Sequence, residues 1–303
     1  MNATEGSRAE AVAVGANSPH ELALIALTAV SRELRSEALT VRTSSRIGEL
    51  GLSDVRSLCA ATVLQGAMRV VLEGEEHLVS AGEYVTMDAR ALPRGWVTEG
   101  SPTAPFVAVT VALDGVEICK VAELLELKPG AAHRSAATLS PELTGALARL
   151  VRAASSPRDR AVLVPIYRNE LLYRLMRAQH SHRLIELARC RQTDEPLQGV
   201  LQYIDDHLAE AIVVADLAAV ARLSVSALSS QFTATIGRSP YQYVKDRRLE
   251  RSLELLQDRK NDVARVARMI GYSSPSHFIS QFRVRFGMTP RIYAMRDRAS
   301  RHV

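Results

Sequence analysis

The chain has 303 residues, a formal net charge of +5 and 47% hydrophobic residues, so it is long enough for two domains with separate cores. Its three cysteines, Cys59, Cys119 and Cys190, are widely spaced, which excludes a disulfide framework and a cysteine-based metal motif. No apolar run is long enough to span a membrane and no basic leader precedes the first one, so we expect a cytoplasmic protein with no membrane partner.

The N-terminal region opens with small and polar residues. We expect residues 1–17 to be a disordered tail. The stretch Ser18 to Glu21 then resembles a capping box with proline in the first helical turn. It predicts a helix that continues to about Arg35.

Between about Thr40 and Leu113 the apolar residues take the spacing of β-strands. Two runs, Val70 to Leu72 and His77 to Val79, flank a turn at Gly74 to Glu76 and predict a hairpin. Several short strands with Gly, Pro and Asp between them predict a small barrel or sandwich. The stretch from Gly74 to Val85 resembles part of a cupin.

This β region carries no constellation for catalysis or metal binding. His77 is its only histidine, whereas cupin metal sites use clustered His and Glu, so we expect no metal, no cofactor and no enzymatic activity. Inward-facing apolar residues would instead line a pocket for a small-molecule effector. The candidate ligand-binding residues are Val70, Leu72, Val85 and Met87. The same residues are ordinary core if the domain serves dimerisation alone, and both alternatives stay open.

Helical spacing returns between residues 115 and 195. Two amphipathic stripes are carried by Leu143, Leu147, Leu150 and Val151 and by Ile166, Leu171, Leu172, Leu175 and Met176. Such helices pack against their own domain and are also where two subunits could meet, so we expect a homodimer. The polar stretch Arg191 to Pro196 predicts a linker. We therefore divide the chain into a sensing or dimerisation domain (18–190), a linker (191–197) and a C-terminal domain (198–303).

The C-terminal domain contains a duplication at a constant offset of 50 residues. Each copy has a helical segment centred on a small residue, Ala218 or Ala267, followed by a short turn and a second helix. The repeated positions are Leu228, Ser230, Gln231, Phe232, Gly237, Pro240 and Tyr243, which recur as Phe278, Ser280, Gln281, Phe282, Gly287, Pro290 and Tyr293. Each copy therefore predicts helix, tight turn, helix.

The second helix of each copy has two distinct faces. Leu228 and Phe232 share one face and are predicted to be buried. The outward face carries short hydrogen-bonding side chains, which suits insertion into the DNA major groove. Candidate DNA contacts are Ser226, Ser229, Ser230, Gln231 and Thr233 in the first copy and Ser276, His277, Ser280, Gln281, Arg283 and Arg285 in the second. A repeat protein of helical hairpins is disfavoured, because solenoids need roughly three or more repeats.

The charge distribution also favours a nucleic-acid partner. Residues 198–303 contain 16 Lys/Arg and 10 Asp/Glu, a net of +6, whereas residues 1–197 carry a net of −1. We expect Arg283 and Arg285 to contact phosphates, which gives affinity without sequence information. Between the two copies, Pro240 to Gln257 predicts a helix of roughly 25 Å. Such a rigid spacer could hold two recognition helices about one DNA turn, roughly 34 Å, apart.

Residues 198–296 resemble the DNA-binding domain of the AraC/XylS family of bacterial transcription regulators. The residues that carry the family's C-terminal signature are Ala264, Ala267, Gly271, Tyr272, Ser273, Ser276, Phe278, Phe282, Phe286, Gly287, Pro290 and Tyr293. The resemblance implies that two helix-turn-helix units bind double-stranded DNA, with RNA polymerase as a further partner of an activator. Family members often carry Arg or Lys on the first recognition helix, where this chain has Ser230 and Thr233, so weaker or water-mediated contacts are expected there.

The β region resembles the N-terminal domain of one AraC subgroup. The matching stretches are Leu58-Cys59, Leu64-Gln65-Gly66, Leu92-Pro93, Val97-Thr98-Glu99, Leu113-Asp114, Ser156 to Asp159 and Glu170 to Leu175. We therefore predict an α+β protein: a cupin-like β-barrel or sandwich with flanking helices, then an all-α domain with two helix-turn-helix units. The predicted function is sequence-specific transcription regulation. The alternatives are an N-terminal domain without a ligand and, more remotely, a cupin-type enzyme.

Overall fold

The computed structural model describes residues 18–300, apart from 31–34, 37–38, 53–56, 73, 92, 129–135, 179–180, 194 and 259–260. The predicted tail at 1–17 lies outside these residues. The chain forms two compact units. Unit 1 comprises residues up to 48, 58–87 and 96–188, and unit 2 comprises residues 49–57, 88–95 and 189–303.

The first half of the chain forms two antiparallel sheets. One has the strand order β1-β2-β9-β4-β7-β10 and the other β3-β8-β5-β6. The strands are β1 (Arg35–Ser36), β2 (Leu39–Ser44), β3 (Gly48–Leu50), β4 (Leu58–Gln65), β5 (Ala67–Leu72), β6 (Glu75–Ser80), β7 (Glu83–Asp88), β8 (Arg94–Glu99), β9 (Phe106–Leu113) and β10 (Ala136–Thr138). The predicted hairpin is confirmed, since β5 pairs with β6 in the register Val70 to His77. Its turn places Gly74 at a φ of 89°, a conformation that glycine adopts without strain.

Helices cover the larger sheet of unit 1. They are α1 (Pro19–Val30), α2 (Gly115–Leu124), α3 (Pro141–Ser155), α4 (Arg160–Arg177) and α5 (Ser181–Thr193), the last of which continues into unit 2. Both predicted apolar stripes contribute to the core of this unit, except Ile166, which is exposed. Arg149 of α3 joins α4 through its Nε, which lies 3.0 Å from Glu170 Oε2. The prediction that the first helix reaches Arg35 is wrong, because Arg35 begins β1.

Unit 2 contains the duplicated helices. They are α6 (Glu195–Asp206), α7 (Val214–Ala221), α8 (Val225–Ile236), α9 (Pro240–Gln257), α10 (Val263–Met269), α11 (Pro275–Phe286) and α12 (Pro290–Ser300). Helices α7 and α8 form the first copy, and α10 and α11 form the second. The stretch predicted as a linker, 191–197, coincides with the end of α5 and the start of α6 around residue 194. The domain boundaries therefore remain our proposal.

Two short segments from the first half of the sequence, 49–57 and 88–95, pack within unit 2. Asp88 is held by two cations, with Arg191 Nη2 at 2.7 Å from Oδ1 and Arg90 Nε at 2.8 Å from Oδ2. In the other segment, Glu49 Oε1 lies 3.7 Å from Arg94 Nη2. Residues distant in sequence thus support the helical unit.

Candidate nucleic-acid interface

In both copies the second helix begins and ends with the same type of cap. The Oγ of Ser224 accepts the Ala227 N–H at 3.2 Å, and the Oγ of Ser274 accepts the His277 N–H at 3.4 Å. Each helix ends at a glycine in the left-handed region, Gly237 at a φ of 75° and Gly287 at 73°. A serine N-cap and a glycine C-cap therefore fix helices α8 and α11 at both ends.

The rotation of each recognition helix is set by its buried side. Leu228 and Phe232 in α8 are fully buried, and so are Phe278 and Phe282 in α11, as the spacing predicts. Ala218 in α7 and Ala267 in α10 are buried members of the same two clusters. Burial of one face leaves the opposite face of each helix directed outward.

Most of the candidate DNA contacts lie on these outward faces. The exposed ones are Ser226, Ser230 and Thr233 in the first copy and Ser276, His277, Ser280 and Arg283 in the second. The half-buried ones are Ser229, Gln231, Gln281 and Arg285. The first copy thus presents hydroxyl groups, and the second adds a cation and an imidazole.

The structure places Arg285 differently from the sequence prediction. The sequence predicts a phosphate contact, but the side chain is only 16% exposed and its Nη2 lies 2.9 Å from Glu250 Oε1. Burial raises the pKa of the Glu250 carboxyl, and the nearby Arg285 charge opposes that rise. Arg285 therefore fastens α11 to α9, and Arg283 is the arginine of this helix that faces outward.

Two apolar residues of α11 that also face outward are not among the DNA contacts predicted from the sequence. Val284 is 80% exposed and Ile279 is 36% exposed. With Ser276, Ser280, Arg283 and Thr289 they line a concave outward surface that encloses a pocket volume of about 530 Å³. The signal for Val284 is its position four residues after Ser280, which places both side chains on one helix face.

Arginines of the spacer helix α9 serve the interior of unit 2. Arg247 is buried, and its Nη2 lies 2.7 Å from Asp205 Oδ1. Arg248 donates from Nε to the Leu208 carbonyl at 3.0 Å and from Nη2 to the Glu210 carbonyl at 2.5 Å. Arg247 thus joins α9 to α6, and Arg248 joins α9 to the segment after α6, so the net charge of this region overstates the cations available to a polyanion.

In unit 1, the predicted ligand residues have the packing of core. Val70, Leu72, Val85 and Met87 are all between 0 and 3% exposed. A different pocket, of about 760 Å³, opens between β7, β10, α3 and α4. Its lining includes Tyr84, Ser140, Leu143, Tyr173 and Arg177. Burial raises the pKa of the Tyr84 hydroxyl to about 12.

The described residues contain no group of three or more His, Cys, Asp or Glu placed to hold a metal ion. None of the helices described is long and apolar enough to cross a membrane. None of the three cysteines, all of which lie among the described residues, forms a disulfide: Cys59 and Cys119 are buried, and Cys190 is exposed.

Two family descriptions match the chain. Residues 36–183 match the N-terminus of AraC-type transcriptional regulators, and residues 217–296 match a helix-turn-helix domain. Together the two matches leave only residues 184–216 and the two ends uncovered. The division between them agrees with the change from sheets to duplicated helices.

Curated relatives match about a third of the chain. The chain is 38% identical over 91 residues to the probable transcriptional regulator LumQ of Photobacterium leiognathi, covering 30% of this chain and 37% of that protein. It is 31% identical over 99 residues to the transcriptional activator RhaS of Escherichia fergusonii, covering 33% of this chain and 36% of that protein. The matches thus span little more than a third of each relative.

Solved structures of ToxT from Vibrio cholerae match most of the chain. ToxT from Vibrio cholerae superposes with a TM-score of 0.59 over 88% of this chain and 100% of its own, at 10% sequence identity. At that identity the likeness concerns the fold. It extends over both the sheets and the duplicated helices.

Proposed function

The chain belongs to the AraC-type transcriptional regulators, and from this membership we propose that it regulates transcription by binding specific sequences of double-stranded DNA. Helices α8 and α11 enter successive major grooves on one side of the duplex. We place the protein in the cytoplasm with its DNA and assign it no catalytic step. If it activates transcription, RNA polymerase is its further partner.

The observation that supports this proposal most strongly is the double anchoring of α9. Near its start, Tyr243 and Val244 belong to the core of the first copy. Further along, Leu249, Leu253 and Leu256 belong to the core of the second. At about 1.5 Å per residue its 18 residues extend about 27 Å, close to the roughly 34 Å of one DNA turn. One continuous helix thus fixes the spacing of the two readers.

Within the interface we propose a division of labour. Ser280 is exposed on α11 and carries a donor and an acceptor suited to base edges. Arg283 lies on the same side and supplies a positive charge for a phosphate. The remaining exposed candidates, Ser226, Ser230, Thr233, Ser276 and His277, add base or water-mediated contacts.

The test begins with selection of binding sites from genomic DNA by the purified full-length protein. Affinity is then measured for a selected site and for random DNA over a range of salt concentrations.

Ser280→Ala should lose affinity at one base pair, by up to about 1–3 kcal/mol, because it removes a base contact. Arg283→Ala should weaken all DNA alike and reduce the salt slope by about one. Arg158→Ala, which removes an exposed arginine from unit 1, is the matched control. An unenriched selection would contradict the proposal.

We further propose that a small-molecule effector occupies the 760 Å³ pocket of unit 1. Its lining combines an apolar part, with Leu143 and Tyr84, and a polar part, with Ser140 and Arg177. This combination suits a ligand with both kinds of group. Thermal shift of the full chain against a metabolite set should identify a stabilising compound, and Arg177→Ala should weaken that stabilisation. A set of compounds with no effect would favour the alternative in which this domain serves dimerisation alone.

An exposed apolar row on α4 supports that second role. Val162, Ile166 and Tyr173 are 64, 55 and 45% exposed, although they belong to a helix whose other side is core. We propose that this row joins two subunits of a homodimer. Sedimentation analysis should show a dimer that Ile166→Glu dissociates, with the exposed Ile47→Glu as the control. A monomeric wild-type protein would contradict the assignment.

A further inference from the structure

At two positions of the recognition helices, a branched aliphatic side chain in the second copy replaces a small side chain in the first. At the fixed offset of 50 residues, Ser229 corresponds to Ile279 and Ala234 to Val284. Ser226 and Ser230 correspond to identical serines, Ser276 and Ser280. The second copy therefore keeps two hydroxyl groups of the first, at Ser276 and Ser280, and places two branched aliphatic side chains around them.

The fold does not require these aliphatic side chains. The buried side of α11 is made by Phe278, Phe282 and Phe286, and their rings contact one another at centroid distances of 5.6 and 4.5 Å. Ile279 and Val284 lie outside this cluster and line the concave outward surface with Ser280 and Arg283. Their apolar area stays in water unless a partner covers it.

The major groove offers one apolar group to such side chains, the C5-methyl of thymine. Ile279 and Val284 are five residues apart, which is about 7.5 Å along the helix axis. Successive bases of one strand are about 3.4 Å apart along the duplex axis, so a helix parallel to that axis would place the two side chains about two base steps apart. A cation on the same surface, Arg283, keeps the helix near a phosphate backbone.

We propose that Ile279 and Val284 read thymine methyl groups, so that the half-site under α11 is selected for thymines about two steps apart. The inference rests on the proposed binding to double-stranded DNA. Helix α8, with Ser229 and Ala234 at the equivalent positions, lacks this requirement. The second copy is thus a methyl reader and the first reads mainly through hydroxyl groups.

Uracil in place of thymine tests the proposal on the wild-type protein, because uracil lacks the methyl and keeps every hydrogen-bonding group. Each replacement at a contacted thymine under α11 should lower affinity about fourfold, the equivalent of burying one methyl-sized group. Replacements under α8 should change affinity less than about twofold. In Ile279→Ala and Val284→Ala, the sensitivity to uracil should disappear at one thymine each, whereas Ile47→Ala, an exposed residue of unit 1, should retain both.

Three different results would overturn the proposal. If a selected site binds tightly and uracil equals thymine at every position, the methyl inference is wrong and DNA recognition stands. If the protein selects no site at all, the proposed function fails first and the inference fails with it. Sensitivity to uracil that survives in both alanine variants would assign methyl reading to other residues.

Discussion

The two helix-turn-helix copies share the serine and glycine caps of their second helices but are stabilised by different surroundings. The first is closed by an additional helix, since Leu197, Val200 and Ile204 of α6 join its core. The second is closed by an aromatic cluster in which the ring of Phe282 contacts Phe278 and Phe286 at centroid distances of 5.6 and 4.5 Å. One backbone motif therefore tolerates quite different packing, provided that its turn and the rotation of its second helix are kept.

The turn itself shows where the tolerance ends. Four residues after the small central residue of the first helix, the first copy has Arg222 at a φ of 56° and the second has Gly271 at 82°. A Cβ on Gly271 would lie 2.6 Å from the Leu208 carbonyl oxygen and 2.8 Å from the Arg248 guanidinium. The same left-handed position thus accepts a side chain in one copy and excludes it in the other.

The largest effect is expected for Gly271→Ala. It should lower the free energy of unfolding by about 4 kcal/mol, from about 1–2 for the left-handed backbone and about 1–3 for displacement of neighbouring backbone. Urea titration combined with hydrogen exchange of peptides from α10 and α11 would locate the loss. Gly237→Ala is the control, since a Cβ there meets no atom within 4 Å and should cost about 1 kcal/mol. Equal losses in both variants would refute the role of the close approach.

The next largest effect on stability is expected for one of the two arginines of α11 and not for the other. Arg285→Met should destabilise unit 2 by about 3 kcal/mol, because it leaves the buried Glu250 without its partner. Arg283→Met removes the same charge from an exposed site and should change stability by less than about 0.5 kcal/mol. Binding should show the opposite order, with the salt slope reduced in Arg283→Met. Loss of stability in both variants, or in neither, would mean that the assignment of the two side chains is mistaken.

The second copy should also respond to pH. Burial, followed by the charge of Glu250, raises the pKa of Glu49 to about 7, against the opposing charges of Arg94 and Arg285. The folded state then binds more protons than the unfolded chain between about pH 4.5 and 7. The free energy of unfolding should therefore fall as pH rises through that window, by on the order of 2 kcal/mol.

Glu49→Gln should flatten that slope, most visibly in hydrogen exchange of α11. Glu170→Gln is a control in which the pH dependence of stability has the opposite sign. The hydrogen bond from Arg149 lowers the pKa of Glu170, so the stabilisation that ionised Glu170 provides is lost as pH falls. A pH slope that is unchanged in Glu49→Gln would assign the titration to another group.

What the sequence reveals about the two copies depends on the range of the interaction. The buried pairs, such as Leu228 with Phe232, and the serine N-caps follow from spacings of three or four residues, which a sequence displays directly. The bond between Arg285 and Glu250 spans 35 positions, and Glu49 comes from a segment far upstream. Such partners are set by tertiary packing and not by sequence spacing. The sequence alone therefore predicts a phosphate contact for Arg285, whereas the fold pairs it with Glu250.

The smallest prediction concerns the start of each copy. Helix α10 begins after Asp262, whose Oδ1 accepts the Arg265 N–H at 2.6 Å, whereas α7 begins after Val213 without a side-chain cap. Asp262→Ala should therefore cost about 1 kcal/mol, and Val213→Ser should contribute about 0.5–1 kcal/mol, because serine supplies the missing acceptor. Serine is preferable to aspartate there, since Asp216 already places a negative charge in the same turn.

Thermal unfolding and hydrogen exchange of α7 and α10 would measure both changes, and DNA affinity should be unaffected, because both caps precede the first helix of a copy. Val213 is 54% exposed, so its replacement removes little packing. If Val213→Ser leaves α7 as it was while Asp262→Ala weakens α10, packing against α6 already fixes the start of the first copy. The two copies would then differ in the origin of their stability even at their first residue.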